Sequence, residues 1–331
     1  MIGTILSRYF KNDLNAGPKA KLDVEKIFKD NLNFEVITIP EPKNPTFIQK
    51  VCSVIISVLY AIYSKRHKYV CYQYPFSGKA MNFHKKNSIC FIHDINGLRY
   101  NKDDEFKTDM KYINMCENIV VHNNSMKKLL IENGIEKNKI HILELFDYLA
   151  NDKLNEKYKV NKKNIKLIYP GNLNRDKSPF LYQLDESKMK YELNIYGKGY
   201  DSNNKNKKVV YKGTFNPDSP SSIEGDIGLV WDGNYDESDE NVGFKNYTKY
   251  NNPHKVSCCM AVGIPVIVWE KSAIAEFVKK NNVGYTINNI YDINNIDFSD
   301  YDIKRKNAIE IGKKVRNGYY TRKIINEIIG K

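Results

Sequence analysis

The sequence has no C-x-x-C pair, no H-x-x-x-H pair, no G-x-S-x-G turn and no G-x-G-x-x-G loop. These absences argue in turn against a dithiol site, a histidine zinc site, a serine-hydrolase elbow and a dinucleotide fingerprint. The six cysteines, Cys52, Cys71, Cys90, Cys116, Cys258 and Cys259, are scattered, and four sit in apolar runs, as reduced core thiols of a cytosolic protein do. Residues 1–10 have neither the apolar stretch nor the cleavage site of an export signal. No apolar run reaches the roughly 20 residues that a bilayer span needs. The nearest, residues 51–63, reads first as a buried core helix. Because Ser64-Lys65-Arg66-His67-Lys68 follows it, a helix lying in a membrane surface is the alternative.

What is present is ordinary globular composition: 331 residues, 41% hydrophobic and 27% charged. That length suggests two domains, and the composition argues against disorder, a collagen-like repeat and a polytopic membrane protein. The charge is lopsided, with 52 Lys plus Arg against 39 Asp plus Glu, a net +13. Such an excess favours an anionic partner: nucleic acid, an anionic membrane face or a phosphorylated substrate. The short basic clusters at 65–68 and 205–208 are not interleaved with stacking aromatics, so a nucleic-acid partner is not expected.

Short runs rich in Val, Ile, Tyr and Phe at 34–40, 68–75, 88–94, 118–123 and 140–146 alternate with helical patterns at 19–31, 47–63, 104–116 and 125–133. The last of these has a Ser cap and ends before Gly134. A polar, Lys- and Asn-rich stretch at 150–164 has the character of a domain boundary. The alternation then restarts, with strands at 165–169, 192–196, 209–211, 227–231 and 265–269 and helices at 254–262 and 272–281. The tail, 302–331, is helical with a break near Asn317-Gly318. Two α/β domains in series are expected.

The most informative segment runs from Asn251 through Asn252, Pro253, His254, Lys255, Val256 and Ser257 to Gly263-Ile264-Pro265. A capping Asn followed by Pro at the first helical position opens a helix whose free N–H groups attract phosphate, and Lys255 adds a full charge in the first turn. The glycine loops Gly171-Asn172-Leu173-Asn174-Arg175, Gly197-Lys198-Gly199 and Gly213-Thr214-Phe215 each follow a strand, so they would line the same edge. Arg175 could grip phosphate with two N–H groups. Asp94 ends a buried strand where a catalytic base would sit, and Asp232 after Trp231 offers a second carboxylate. Residues 12–19 read as a glycine loop. The acidic clusters 103–105 and 236–240 lack the ligand spacing of a calcium loop and read as solvated.

Taken together, Phe91-Ile92-His93-Asp94, Tyr169-Pro170-Gly171-Asn172-Leu173, Gly228-Leu229-Val230-Trp231-Asp232-Gly233, Asn251-Asn252-Pro253-His254-Lys255, Gly263-Ile264-Pro265-Val266 and Arg316-Asn317-Gly318-Tyr319-Tyr320 form an ordered series of motifs. This series resembles bacterial β-1,6-galactofuranosyltransferases of O-antigen synthesis and, less closely, streptococcal glucosyltransferases that extend a GlcNAc on serine-rich adhesins. The resemblance implies a GT-B fold, two Rossmann-like domains facing across a cleft. It implies an acceptor-binding domain at 1–155, a nucleotide-sugar domain at 156–305 and a helix returning to the first domain at 306–331. UDP contacts would fall on Gly17, Arg175, Phe215, Asn252, Pro253, His254, Lys255, Val256 and Ser257, with Lys255 on the diphosphate. The adhesin enzymes carry Thr where this chain has Gly17. Cys258 stands where retaining GT-B enzymes place a Glu, which favours inversion.

The expected activity is transfer of galactofuranose from UDP-galactofuranose to a lipid-linked glycan in cell-surface polysaccharide synthesis. Asp94 is the candidate base, Asp232 the reserve, and no metal or cofactor is expected. A UDP-glucose-dependent glucosyltransferase acting on a glycoprotein glycan, and a non-catalytic UDP-binding partner of another glycosyltransferase, are the alternatives. The expected location is cytoplasmic, with peripheral contact at the inner membrane face, and a homo-oligomer is left open.

Overall fold

Strand and helix alternate through both halves of the chain, and a computed structural model describes residues 1–9, 16–40, 45–154, 156, 160–161, 165–236, 238, 241 and 243–330. Two units result: Met1–Glu144 with Gly318–Lys331, and Leu145–Asn317. The division therefore falls before the polar stretch and not within it. The reason is that Leu145, Phe146 and Tyr148 are buried, and the Tyr148 N–H bonds Val315 O at 3.1 Å inside the second unit.

The first unit contains β1 (Gly3–Tyr9), α1 (Ala16–Leu32), β2 (Phe34–Pro40), α2 (Phe47–Tyr63), β3 (Tyr69–Tyr74), α3 (Gly78–Met81) and β4 (Ser88–Ile92). It continues with α4 (Asn96–Arg99), α5 (Asp103–Ile113), β5 (Asn118–Val121), α6 (Asn124–Glu132) and β6 (Ile140–Ile142). All pairings are parallel, in the order β2-β1-β3-β4-β5-β6. Covered on both faces, the strands are near-continuous apolar runs. The β1 segment was absent from the expected strands because Thr4 and Ser7 interrupt its pattern. Both are fully buried yet satisfied: Thr4 Oγ1 bonds His67 Nδ1 at 2.7 Å, and Ser7 Oγ accepts from Gln73 Nε2 at 2.5 Å. The cap of α6 is Asn123, whose side chain accepts from the Met126 N–H, and not the expected Ser125.

The α2 helix departs from the first expectation of a buried core element. A reciprocal cap fixes its start, with the Gln49 N–H donating to Thr46 Oγ1 and the Thr46 N–H to Gln49 Oε1. The buried residues of this helix are Ser53, Ser57 and Ala61, a stripe of small side chains at four-residue spacing; Val54 and Val58 flank it half-buried, while the other large apolar residues lie outward.

The second unit contains β7 (Leu167–Pro170), α7 (Phe180–Gln183), β8 (Leu193–Tyr196), β9 (Val209–Tyr211), β10 (Ile227–Val230) and α8 (Gly243–Tyr247). It continues with α9 (His254–Ala261), β11 (Val266–Trp269), α10 (Ile274–Asn281), β12 (Gly284–Ile287) and α11 (Tyr301–Arg316). Its parallel sheet has the order β12-β11-β10-β7-β8-β9, the doubly wound Rossmann arrangement. The order reverses between β7 and β10. After Gly318, in the left-handed region at φ 67°, α12 (Tyr319–Ile329) rejoins the first unit, where it packs on α1.

Candidate functional site

In a doubly wound sheet, ligands bind beyond the carboxyl ends of the strands at the point where the order reverses. Here that point lies between the segment after β7, which begins at Gly171, and the segment after β10, Trp231-Asp232-Gly233. Backbone bonds tie the neighbouring loops into one ledge: the Gly171 N–H donates to Tyr196 O at 2.8 Å, Leu173 N–H to Lys198 O at 2.9 Å, and Gly197 N–H to Gly213 O at 2.9 Å. A Cβ at Gly197 would lie 1.7 Å from Gly171 O, so only glycine allows this approach.

The α9 helix delivers its first turn to the same place. It begins at His254 with Pro253 in the cap position, one residue later than the sequence pattern suggests, and no side chain caps it. Its far end closes on Gly263, with Ile264 N–H bonded to Cys259 O at 2.9 Å, and Arg316 Nη1 donates to Ala261 O at 2.8 Å. Gly228 lets α9 lie against β10, because a Cβ there would meet Cys259 Sγ at 2.3 Å.

Lys255 extends from this first turn across Gly171, where an added Cβ would stand 2.6 Å from Lys255 Cε. Its Nζ lies 2.5 Å from Asp232 Oδ1, 3.4 Å from Trp231 O and 4.7 Å from the Tyr169 ring centroid. The two charged side chains are only 9% and 8% exposed. The Tyr169 hydroxyl lies 2.6 Å from Ser178 Oγ and 3.4 Å from Asp232 Oδ1, and burial, then the Asp232 charge, pushes its pKa well up. The result is a cation held at a helix N-terminus by one carboxylate. An anion entering there would meet Lys255 together with the positive end of the helix dipole.

The remaining expected contacts are distributed around this centre. Arg175 lies on the ledge, but its guanidinium pairs with Asp201 at 3.0 and 2.7 Å and covers the Tyr182 ring at 4.2 Å. The Asn203 N–H and then Arg175 hold the Asp201 carboxyl below its usual range. Phe215 is half-buried, edge-on to Tyr196. Asn252, Val256 and Ser257 are buried, and the Val256 N–H already bonds Pro253 O at 3.0 Å. His254 stacks on Tyr148 at 5.0 Å and reaches Asp147 O at 3.3 Å.

Gly17 and Asp94 belong to the first unit. Residues 12–15 of the expected glycine loop lie outside the described residues, and Gly17 falls in the first turn of α1 instead of a loop. Asp94 follows β4, is 30% exposed in its side chain, and accepts from Arg99 Nη1 at 2.6 Å. Beside it, His122 is buried and bonds Ile92 O at 3.0 Å. Burial lowers its pKa to about 4, against the opposing pull of the Asp94 charge. Of the acidic cluster 236–240, residues 237, 239 and 240 lie outside the described residues.

Sequence reasoning missed Lys245. It is fully buried, with its Nζ 3.5 Å from the Trp231 ring centroid and 4.7 Å from that of Trp269. With Thr248, Pro253 and Ser272 these residues line a shallow recess beside Asp232. A signal existed: the chain has only two Trp, and they stand at the ends of neighbouring strands, Trp269 closing β11 and Trp231 following β10.

Two parallel six-stranded sheets with helices define the GT-B fold, the architecture of a large class of glycosyltransferases, and solved structures agree. Anabaena HepE in complex with UDP superposes with a TM-score of 0.59 over 99% of this chain and 98% of that one, at 12% identity. The chain belongs to the Glucosyltransferase 3-like family, whose N-terminal domain model matches residues 4–145 and whose C-terminal domain model matches residues 167–328. The β-1,6-galactofuranosyltransferase WbbI of Escherichia coli K12 is 29% identical over 97% of this chain and 98% of its own length. Glucosyltransferase 3 of Streptococcus gordonii is 23% identical over 73% of this chain and 70% of its own.

Proposed function

We infer that this glycosyltransferase transfers galactofuranose from UDP-galactofuranose to a lipid-linked glycan, with inversion and without a metal. The observation that carries the reading is the Lys255–Asp232 pair at the α9 N-terminus, beside the point where the strand order reverses. The diphosphate takes Lys255 from Asp232 and lies on the uncapped first turn of the helix, so protein charge does the work a metal ion would do. Within the second unit, Arg175, Phe215 and residues 252–257 complete the UDP site. The second unit holds the donor and the first unit the acceptor. Likeness to the galactofuranosyltransferase WbbI supports the donor sugar.

The acceptor hydroxyl attacks the anomeric carbon as the bond from that carbon to the diphosphate oxygen breaks, and its electron pair leaves with UDP. The Asp94 carboxylate takes the hydroxyl proton; Asp232 is the reserve for this role. Arg99 positions Asp94 and leaves it accessible to solvent. A UDP-glucose donor is the second reading, favoured by the family description and by the Streptococcus gordonii relative.

Transfer assays with UDP-galactofuranose and UDP-glucose, run in EDTA with lipid-linked glycan acceptors, test the reading. Product from UDP-galactofuranose alone supports it, product from UDP-glucose alone establishes the second reading, and turnover that requires an added divalent ion contradicts the metal-free mechanism.

A further inference from the structure

The α2 helix is built the reverse way from a surface helix of a water-soluble domain. Such a helix ordinarily buries its large apolar side chains and shows its small and polar ones. Here Ser53, Ser57 and Ala61 are turned inward, and Ser57 Oγ bonds back to Ser53 O at 2.7 Å. At about 100° per residue, the opposite half of the circumference carries the exposed residues Ile48, Val51, Cys52, Ile55, Ile56, Leu59, Ile62 and Tyr63, with Phe47 at its edge. The hydroxyl of Tyr63 is its one polar side-chain group besides the Cys52 thiol. All of these residues are exposed, Phe47 to 81% and Leu59 to 60%.

The C-terminal end of this face is cationic. Residues 46–68 contain no Asp or Glu, whereas Lys65, Arg66 and Lys68 are all exposed; Arg66 lies 3.7 Å over the Tyr63 ring and pairs with Glu35 at 2.5 Å, leaving Lys65 and Lys68 to face an anionic surface. Tyr63, under Arg66 and edge-on to Tyr60 at 6.5 Å, ends the apolar face beside the cations, an arrangement that fits the headgroup level of a bilayer.

We propose that α2 docks the chain on an anionic lipid surface, lying in the interface plane with residues 65–68 on the headgroups. Among the described residues Phe47–Arg66 is, by length and composition, able to cross a membrane. Its inner stripe holds it to the fold instead: Ala61 belongs to the core beside Val70 and Tyr72, and Val58 packs against that core. A second copy is a poorer occupant, because a two-fold interface places the same patch against itself, and the carboxylate beside it, Glu35, is already paired with Arg66 at 2.5 Å while residues 46–68 supply no other. An anionic bilayer complements both the apolar face and the charge. The docking rests on the proposed function only for the acceptor that the surface would present.

Co-sedimentation of the full chain with phosphatidylcholine vesicles, with and without phosphatidylglycerol, tests the proposal. The parent chain sediments with the anionic vesicles, and increasing salt releases it. The paired change Ile55→Glu with Leu59→Glu abolishes sedimentation. Lys65→Glu with Lys68→Glu weakens binding at least five-fold for each cation lost. All four side chains are exposed, so cooperative melting and an unchanged circular dichroism spectrum confirm that the variants fold. A parent chain that stays in the supernatant overturns the proposal, as does sedimentation unchanged in the Ile55→Glu, Leu59→Glu variant. A dimer that this variant converts to monomer, without vesicle binding by the parent, assigns the face to a second copy and also overturns it. Each outcome is read without measuring transfer, so failure here is distinct from failure of the donor assignment.

Discussion

Replacing Lys255 by Met keeps the length of the side chain and removes its charge, leaving Asp232 buried without its ammonium partner 2.5 Å away. Removing one member of a buried pair costs about 3–5 kcal/mol, because the other charge keeps its desolvation penalty and loses its nearest counter-charge. For a domain of this size about 1 kcal/mol corresponds to roughly 2–4 °C, so the melting temperature should fall by about 6–20 °C. The further change Asp232→Leu removes the remaining charge and should recover most of that loss, although neither variant has the cation proposed to bind phosphate. Calorimetric melting of the parent, the single variant and the double variant checks the whole series. A loss under 2 °C in Lys255→Met, or a double variant no better than the single, would refute the view that this pair is buried and mutually dependent.

Three further outcomes are expected. His122 has its folded pKa lowered from 6.5 to about 4, so the unfolded chain binds the extra proton first. Its contribution is therefore complete above pH 6.5 and is lost as pH falls toward 4, by about 3 kcal/mol at most; urea unfolding of the parent and His122→Gln across that window should differ in slope. Gly171→Ala puts a methyl group against Lys255 Cε, displacing the ammonium, so UDP affinity should fall at least ten-fold in a calorimetric titration while the fold remains. Asp94→Asn should lower kcat by a factor of about 10²–10⁴ with UDP affinity intact, and near-normal turnover would remove Asp94 as the base.

The alternation of buried strands and helices was readable because fully covered parallel strands leave continuous runs of β-branched and aromatic residues. Strand β9 and helix α2 fall within the bounds their patterns suggest. The two strands that escaped were β1, whose buried Thr4 and Ser7 mimic a polar loop, and β12, a half-exposed edge strand that opens on Gly284. Composition showed that α2 is apolar but not which face it buries, since that depends on small residues fitting the sheet. Lys255 was legible as a candidate phosphate ligand from the Asn-Asn-Pro-His-Lys block, and the structure places it in the first turn of α9. Its pairing with Asp232 was not, because that contact joins a helix start to a strand end 23 residues away in sequence and depends on the fold. The same is true of Arg175: its charge was visible, whereas its engagement with Asp201 and Tyr182 required the loops to be in place.

The most direct test of the account is the affinity for UDP, UMP and ADP, measured by titration calorimetry in EDTA on the parent chain and on the Lys255→Met, Asp232→Leu pair. The account predicts that the parent binds UDP in preference to the other two, and that this binding is largely lost in the paired variant, which retains its fold. Absence of UDP binding by the parent in EDTA, or equal UDP affinity in the paired variant, would contradict a metal-independent diphosphate site at the α9 N-terminus.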